Sequence, residues 1–388
     1  MNNAVQNAEA SELNNLPSPK ISPKKPRNAS FELVRIIAML LIIAVHFRGH
    51  GGWYEVTGAN AYFMQLGRAF FTPSVNVFVM ISAYFMCTKD DMKIRWDKLG
   101  KLWLTVFFYS IVLFTVFTAT GICKFDVMTL LASLFPVAFT KYWFVSAYFL
   151  MMIASPFLNA IVSRLNKAQF SALCLFIIII AALQDIGLFT TIRVENGANG
   201  IWFCLLYLLT AYIRKFDIQL SKIPWIICAV VFIGIVLFIT FVWTGASHPS
   251  IVGVYMSLFI LLTAKKIKIT NEKLSKVICF ISSLTFGIYL IHDSNEMRGF
   301  MYENIFHSSK FIPSEYSFLI YLGFVLLTFV ACAIIEYIRQ LGFKGFAKLI
   351  NLIFGEKITS LKNRFSAFIG RISDKINGVE NDNMLISE

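Results

Sequence analysis

Ten stretches of this chain are apolar for much of a bilayer's thickness, and that repetition leaves few folds open. They fall near residues 31–47, 71–87, 99–120, 142–163, 168–184, 200–213, 223–244, 249–264, 277–293 and 315–338. A helix needs about 20 apolar residues to cross a hydrocarbon core of roughly 30 Å. The runs are continuously apolar instead of alternating, which argues against an outer-membrane barrel. Only 15% of the residues are charged, where a soluble domain carries about 25%. The expected fold class is an all-α polytopic membrane protein with about ten transmembrane helices, the sixth of them short.

Charge sets the expected orientation. Loops 88–101, 164–167, 214–222 and 265–276 hold fifteen Lys and Arg, whereas the longer loops between them hold seven. Positive residues stay on the cytoplasmic side, so both termini are expected there. The same rule absorbs the net charge of +13, and no nucleic-acid partner is implied. Residues 1–30, with Pro17, Pro19, Pro23 and Pro26, read as a disordered cytoplasmic leader without a cleavable signal. Residues 31–338 form the membrane domain. Segment 339–376 interleaves Lys344, Lys348 and Arg364 with Phe343, Phe346 and Phe365; it is expected to lie as a basic amphipathic segment on the inner leaflet. Residues 377–388 read as a disordered tail. Seven cysteines without CxxC spacing read as small core residues, and no metal is expected.

The first span carries Arg35 near its start and His46 at its end. Ionisable groups inside an apolar span are costly and point to function. Eleven positions at about 100° and 1.5 Å each put the two on nearly one helix face, roughly 16 Å apart. Glu32, one turn before Arg35, is placed to pair with it. The ninth span delivers His292, followed by Asp293, to the same depth as His46. Ser82 and Tyr84 of the second span fit helix–helix hydrogen bonding as well as a site. Lys98 and Lys101 lie in a basic loop beside the inner end of the first span; topology alone explains them, and they could also hold an anionic cofactor. His248 and His307 are assigned no role.

These features together resemble the integral-membrane acyltransferase-3 family, which O-acylates bacterial surface glycans. The resemblance is carried by Arg35-x10-His46 with Ala38, by Phe78-Val79-Met80-Ile81-Ser82-Ala83-Tyr84, by Tyr142-Trp143-Phe144 and by Phe286-Gly287-Ile288-Tyr289-Leu290-Ile291-His292, in that order over residues 31–338. Glu32 stands where the family often has Asp, Ala83 where it has Gly, and Lys98 and Lys101 where it has Arg. The resemblance implies a bacterial cytoplasmic (inner) membrane enzyme that uses acyl-CoA, with acetyl-CoA the expected donor. The donor would be bound by Arg35, Lys98 and Lys101. His46 would be general base or acyl carrier. Glu32, Ser82, Tyr84, Trp143 and His292 would be accessory. The acceptor would be a surface glycan or lipid-linked oligosaccharide, reached directly or through a separate extracytoplasmic transfer protein. An exporter of lipid or sugar is the alternative. It should show inverted repeats and spans broken at mid-membrane, and the sequence displays little of either. A glycan polymerase or ligase would need a larger outer loop.

Overall fold

The computed structural model describes residues 27–87, 94–185, 199–242 and 250–376. The leader up to residue 26, Lys89, Lys93, Arg193, His248 and the tail 377–388 lie outside the described residues. Every described regular element is helical. In chain order the α-helices are α1 (Ala29–His50), α2 (Ala59–Phe71), α3 (Ser74–Met86), α4 (Trp96–Ala119), α5 (Val127–Leu134), α6 (Trp143–Arg164), α7 (Lys167–Asp185), α8 (Gly200–Lys215), α9 (Lys222–Phe241), α10 (Ile251–Lys266), α11 (Glu272–Ser282), α12 (Thr285–His292), α13 (Asn295–Gly299) and α14 (Ser317–Ile376), with short helical turns at Trp53–Glu55, Phe300–Ile305 and Ser308–Lys310.

Each of the ten apolar stretches holds a helix. Seven helical stretches among the described residues are long and apolar enough to cross a membrane: α1, α2 with α3, α4, α6, α9, α11 with α12, and the first half of α14. The shorter α8 and α10 have 16 residues each. They reach about 24 Å, short of a full hydrocarbon core. The outward surface is that of a protein solvated by lipid. Ile223, Ile227, Val230 and Ile233 of α9 are 58–71% exposed, a face that would associate in water.

Three local features depart from the sequence reading. Residues 59–70, expected in a loop, are helical. Asn60, Gln65 and Arg68 interrupt the apolar run there, yet α2 packs on α9 and Asn60 Nδ2 donates to the Glu315 carbonyl at 2.9 Å. Two spans are broken: α2 gives way to α3 at Thr72–Pro73, and α11 to α12 at Ser283–Leu284. Pro73 has no N–H to continue the ladder. Finally, α14 runs unbroken for 60 residues, about 90 Å, so 339–376 continues the helix of the last span.

Helix α1 stands at the centre. It is capped by Asn28, whose side chain accepts from Ser30 N, and it packs against α2, α3, α10, α11, α12 and α14. A central helix surrounded by six others can hold polar groups out of lipid. On the far side, α8 fills the bundle with Trp202, Phe203, Leu206 and Tyr207, all fully buried. Its polar tips are satisfied across helices. Trp202 Nε1 donates to Asn76 Oδ1 at 3.1 Å, and the Tyr207 hydroxyl to Asn159 Oδ1 at 2.7 Å. Asn76 thus does the interhelical bonding expected of a lone amide in a membrane.

Candidate functional site

The two ends of α1 build two polar clusters, with an apolar cavity between them. At the histidine end, α12 brings His292 against α1 across 246 residues of sequence. His46 Nδ1 and His292 Nε2 are 3.0 Å apart, and His292 Nδ1 is 2.7 Å from the Ile288 carbonyl. The carbonyl can only accept, so His292 Nδ1 carries its proton. With His292 neutral, its Nε2 accepts and His46 donates from Nδ1; a neutral His46 then has its lone pair on Nε2.

Asp293 reinforces that arrangement. Its Oδ1 lies 3.3 Å from His46 Nδ1 and takes Arg298 Nε and Nη2 at 3.0 and 2.7 Å. The carboxylate is 1% exposed. The segment after it is anchored by a second buried pair, Lys141 Nζ to Glu296 Oε1 at 2.6 Å, with Ser133 Oγ also accepting from the ammonium at 2.6 Å. The Tyr142 hydroxyl donates to the Leu290 carbonyl at 3.0 Å and ties α12 to the start of α6. On the neighbouring turn, burial and the nearby Asp293 push the Tyr302 phenol well above its usual value, so it stays neutral.

At the arginine end, Glu32 is the hub. It accepts from Arg27 Nε at 2.9 Å and Nη2 at 2.6 Å, from Arg35 Nη1 at 3.0 Å, and from the Ser282 hydroxyl. Two guanidinium groups face one carboxylate, which leaves a net positive charge. Arg35 Nε is buried without a hydrogen-bond partner. Close by, Arg214 Nη1 donates to the Tyr84 hydroxyl at 2.8 Å, its guanidinium 4.6 Å from the Tyr84 ring. Guanidinium groups outnumber carboxylates here.

The Arg35 guanidinium lies 5.5 Å from the Phe78 ring, and Phe78 also walls the space beside His46. There Met39, Ile42, Phe78, Trp143, Phe144 and Tyr289 enclose an apolar cavity of about 50 Å³ with His46 in its wall. The Tyr289 hydroxyl is buried without a hydrogen-bond partner. A second, polar cavity of about 210 Å³ opens one turn beyond, with His50, Tyr302 and Glu303 among its wall residues. The His46 and His50 rings are 5.8 Å apart, so the histidine pair separates an apolar chamber from a polar one.

A further buried carboxylate, Glu336 of α14, accepts from the Tyr109 hydroxyl at 2.6 Å, from Arg339 Nε and Nη2 at 2.7 Å each, and from Gln340 at 2.8 Å. It explains Gly287: a Cβ there would meet the Glu336 carboxylate carbon at 2.3 Å.

Of the residues singled out in the sequence, Glu32 and Arg35 meet at one end, while His46, His292 and Trp143 meet at the other. Tyr84 joins the arginine end by stacking on Phe31 of α1, ring centroids 4.9 Å apart, and accepts from Arg214. Ser82 does not reach either chamber wall; its hydroxyl bonds the Phe78 carbonyl of its own helix at 3.2 Å. Lys98 and Lys101 are exposed on the first turns of α4, a helix packed on α5, α12 and α13. Sequence reasoning missed Arg27, Arg214, Ser282, Tyr289, Arg298 and Glu336. Arg214 was counted only as a topology charge. Arg298, five residues after Asp293, offered a local signal.

Residues 28–337 match the profile of a family described as an acyltransferase domain, which covers most of the chain. No curated protein and no solved structure matches it.

Proposed function

Since this chain belongs to the acyltransferase-3 family and is a multi-pass membrane acyltransferase, we propose that it is an O-acetyltransferase. On this reading it takes the acetyl group from cytosolic acetyl-CoA and delivers it to a hydroxyl of a surface polysaccharide or its lipid-linked precursor. The host membrane is the bacterial cytoplasmic membrane. Helices α7, α8 and α10 complete ten crossings, the short α8 and α10 where the bilayer thins to meet them, and both termini are cytoplasmic.

The observation that carries this reading is the hydrogen-bonded His46–His292 pair facing a small apolar cavity, with a net cationic cluster one helix-span away. Arg35, held by Glu32, is the donor's phosphate contact, with Lys98 and Lys101 drawing the anionic donor in from the cytoplasm. The pantetheine arm then follows Phe78 to the cavity. The acyl group is then held against Met39, Ile42, Phe144 and Tyr289 beside His46.

His46 Nε2 removes the acceptor hydroxyl's proton as that oxygen attacks the thioester carbonyl. The C–S bond breaks, and the proton passes to the sulfur, giving CoA and the sugar ester. Asp293 and His292 stabilise the intervening imidazolium. The Trp143 indole N–H and the Tyr289 hydroxyl are the donors nearest to hand for the developing oxyanion. His46→Ala should abolish transfer of label from acetyl-CoA to the glycan in vesicles that retain the protein in normal amount. Undiminished glycan ester content would overturn the assignment.

A further inference from the structure

The polar cavity beyond His50 is not explained by donor chemistry. It has a volume of about 210 Å³, and its wall includes His50, Tyr54, Glu55, Tyr302, Glu303 and Ser308, with no Lys or Arg. A donor bearing phosphates would meet two carboxylates in the wall, while the nearest arginine, Arg298, is held by Asp293. Nor is the cavity an ordinary gap between loops. Gly52 turns the chain at φ +75°, and Gly51 lies so close to Trp53 and Tyr302 that a Cβ would meet their rings at 3.0 and 3.2 Å. The backbone thus lines the cavity directly. Two wall residues carry hydroxyls that are buried and lack any protein partner, Tyr302 and Ser308. Both residues are only 2% exposed. Tyr54, by contrast, is 59% exposed at the rim and offers a ring face.

We propose that this cavity is the acceptor subsite and that it takes a neutral or amino-bearing sugar ring, discriminating against uronic acids and phosphorylated sugars. The proposal rests on the acyltransfer reading above. Glu55 and Glu303 accept hydrogen bonds from vicinal hydroxyls or an ammonium, and Tyr54 covers one face of the ring. His50 lies one helical turn after His46, so a sugar held here presents its hydroxyl toward His46 from the side opposite the apolar chamber. A carboxylated ring would bring a third negative charge beside two, with no cation in the wall to offset it.

The test uses the full-length chain in phosphatidylethanolamine–phosphatidylglycerol proteoliposomes, with CoA release from acetyl-CoA as the readout. Methyl β-D-glucopyranoside, methyl glucosaminide and methyl glucuronide are titrated in turn. The first two should change CoA release saturably, with the glucuronide at least about tenfold weaker. Glu303→Gln and Glu55→Gln should each raise the half-saturating concentration of the neutral glycoside about tenfold, the loss of one charge-assisted hydrogen bond. Glu272→Gln, on the exposed start of α11, should leave it unmoved. Equal saturation by the glucuronide, no response to any glycoside, or an unmoved half-saturation in both cavity variants overturns the subsite. Absence of any His46-dependent CoA release would instead overturn the acyltransfer reading, and the subsite with it.

Discussion

Asp293→Asn is the sharpest probe of the histidine end, because it removes one charge with almost no change of shape. In the proposed mechanism His46 takes up a proton during transfer, 3.3 Å from Asp293 Oδ1. Two unit charges at that distance attract by about 5 kcal/mol at an effective dielectric near 20. Two features reduce the figure. His46 and Arg298 are 17% and 27% exposed at their side chains, which admits solvent screening, and His292 remains as the nearer acceptor for His46 Nδ1. Hydrogen bonds to charged groups contribute about 1.5–3 kcal/mol, so a loss of about 2–3 kcal/mol is expected. That is roughly a 30- to 150-fold fall in kcat. The variant also strands Arg298, whose charge then faces the imidazolium. Asp293→Asn combined with Arg298→Gln should therefore recover about tenfold of the loss. The assay is kcat and KM for acetyl-CoA consumption in proteoliposomes, normalised to protein content. A single variant within threefold of wild type would refute the charge-stabilisation argument. So would a change confined to KM.

Three other perturbations separate the parts of the site. Arg35→Gln should raise KM for acetyl-CoA about tenfold or more with a smaller change in kcat, measured in the same vesicles; an unchanged KM would remove Arg35 from donor binding. Lys141→Met leaves Glu296 buried and uncompensated. Breaking such a pair costs about 3–5 kcal/mol, so thermal unfolding in detergent should fall markedly, and adding Glu296→Met should restore most of it. Gly287→Ala drives a methyl into Glu336, a carboxylate held by Tyr109, Arg339 and Gln340. Overpacking costs about 1–3 kcal/mol, and shortening the side chain with Glu336→Asp in the same protein should relieve part of it, as read by thermal stability.

How much was legible in the sequence can be traced through particular residues. Arg35 and His46 stand out because their cost is local: an ion or imidazole in an apolar run is visible without knowing its neighbours. Glu32 is visible for the same reason, lying one turn from Arg35. Ser82 looked equally suggestive, yet its hydroxyl turns back to Phe78 of its own helix. A hydroxyl's partner depends on rotamer and packing, and neither is written in spacing. Residues 59–70 went unread as helix because Asn60, Gln65 and Arg68 broke the apolar signal, whereas the helix is held by contacts to α9 and to Glu315. The breaks at Thr72–Pro73 and Ser283–Leu284 likewise interrupt runs that hydropathy alone treats as continuous.

By itself, the sequence determined that the chain lives among lipids as helices, and that one of those helices carries a cation and an imidazole about 16 Å apart on one face. These are properties of neighbouring residues, set by the lengths of apolar runs and by 3.6-residue periodicity. Only the tertiary structure decided which partners those groups have: His292 and Asp293 for His46, Arg27 and Ser282 for Glu32, and a small apolar chamber between them. The physical reason is distance along the chain. His46 and His292 are 246 residues apart, and what brings them within one hydrogen bond is the packing of α12 on a central α1. The proton on His292 Nδ1 is placed by a single carbonyl, that of Ile288, which no reading of the sequence alone could have placed.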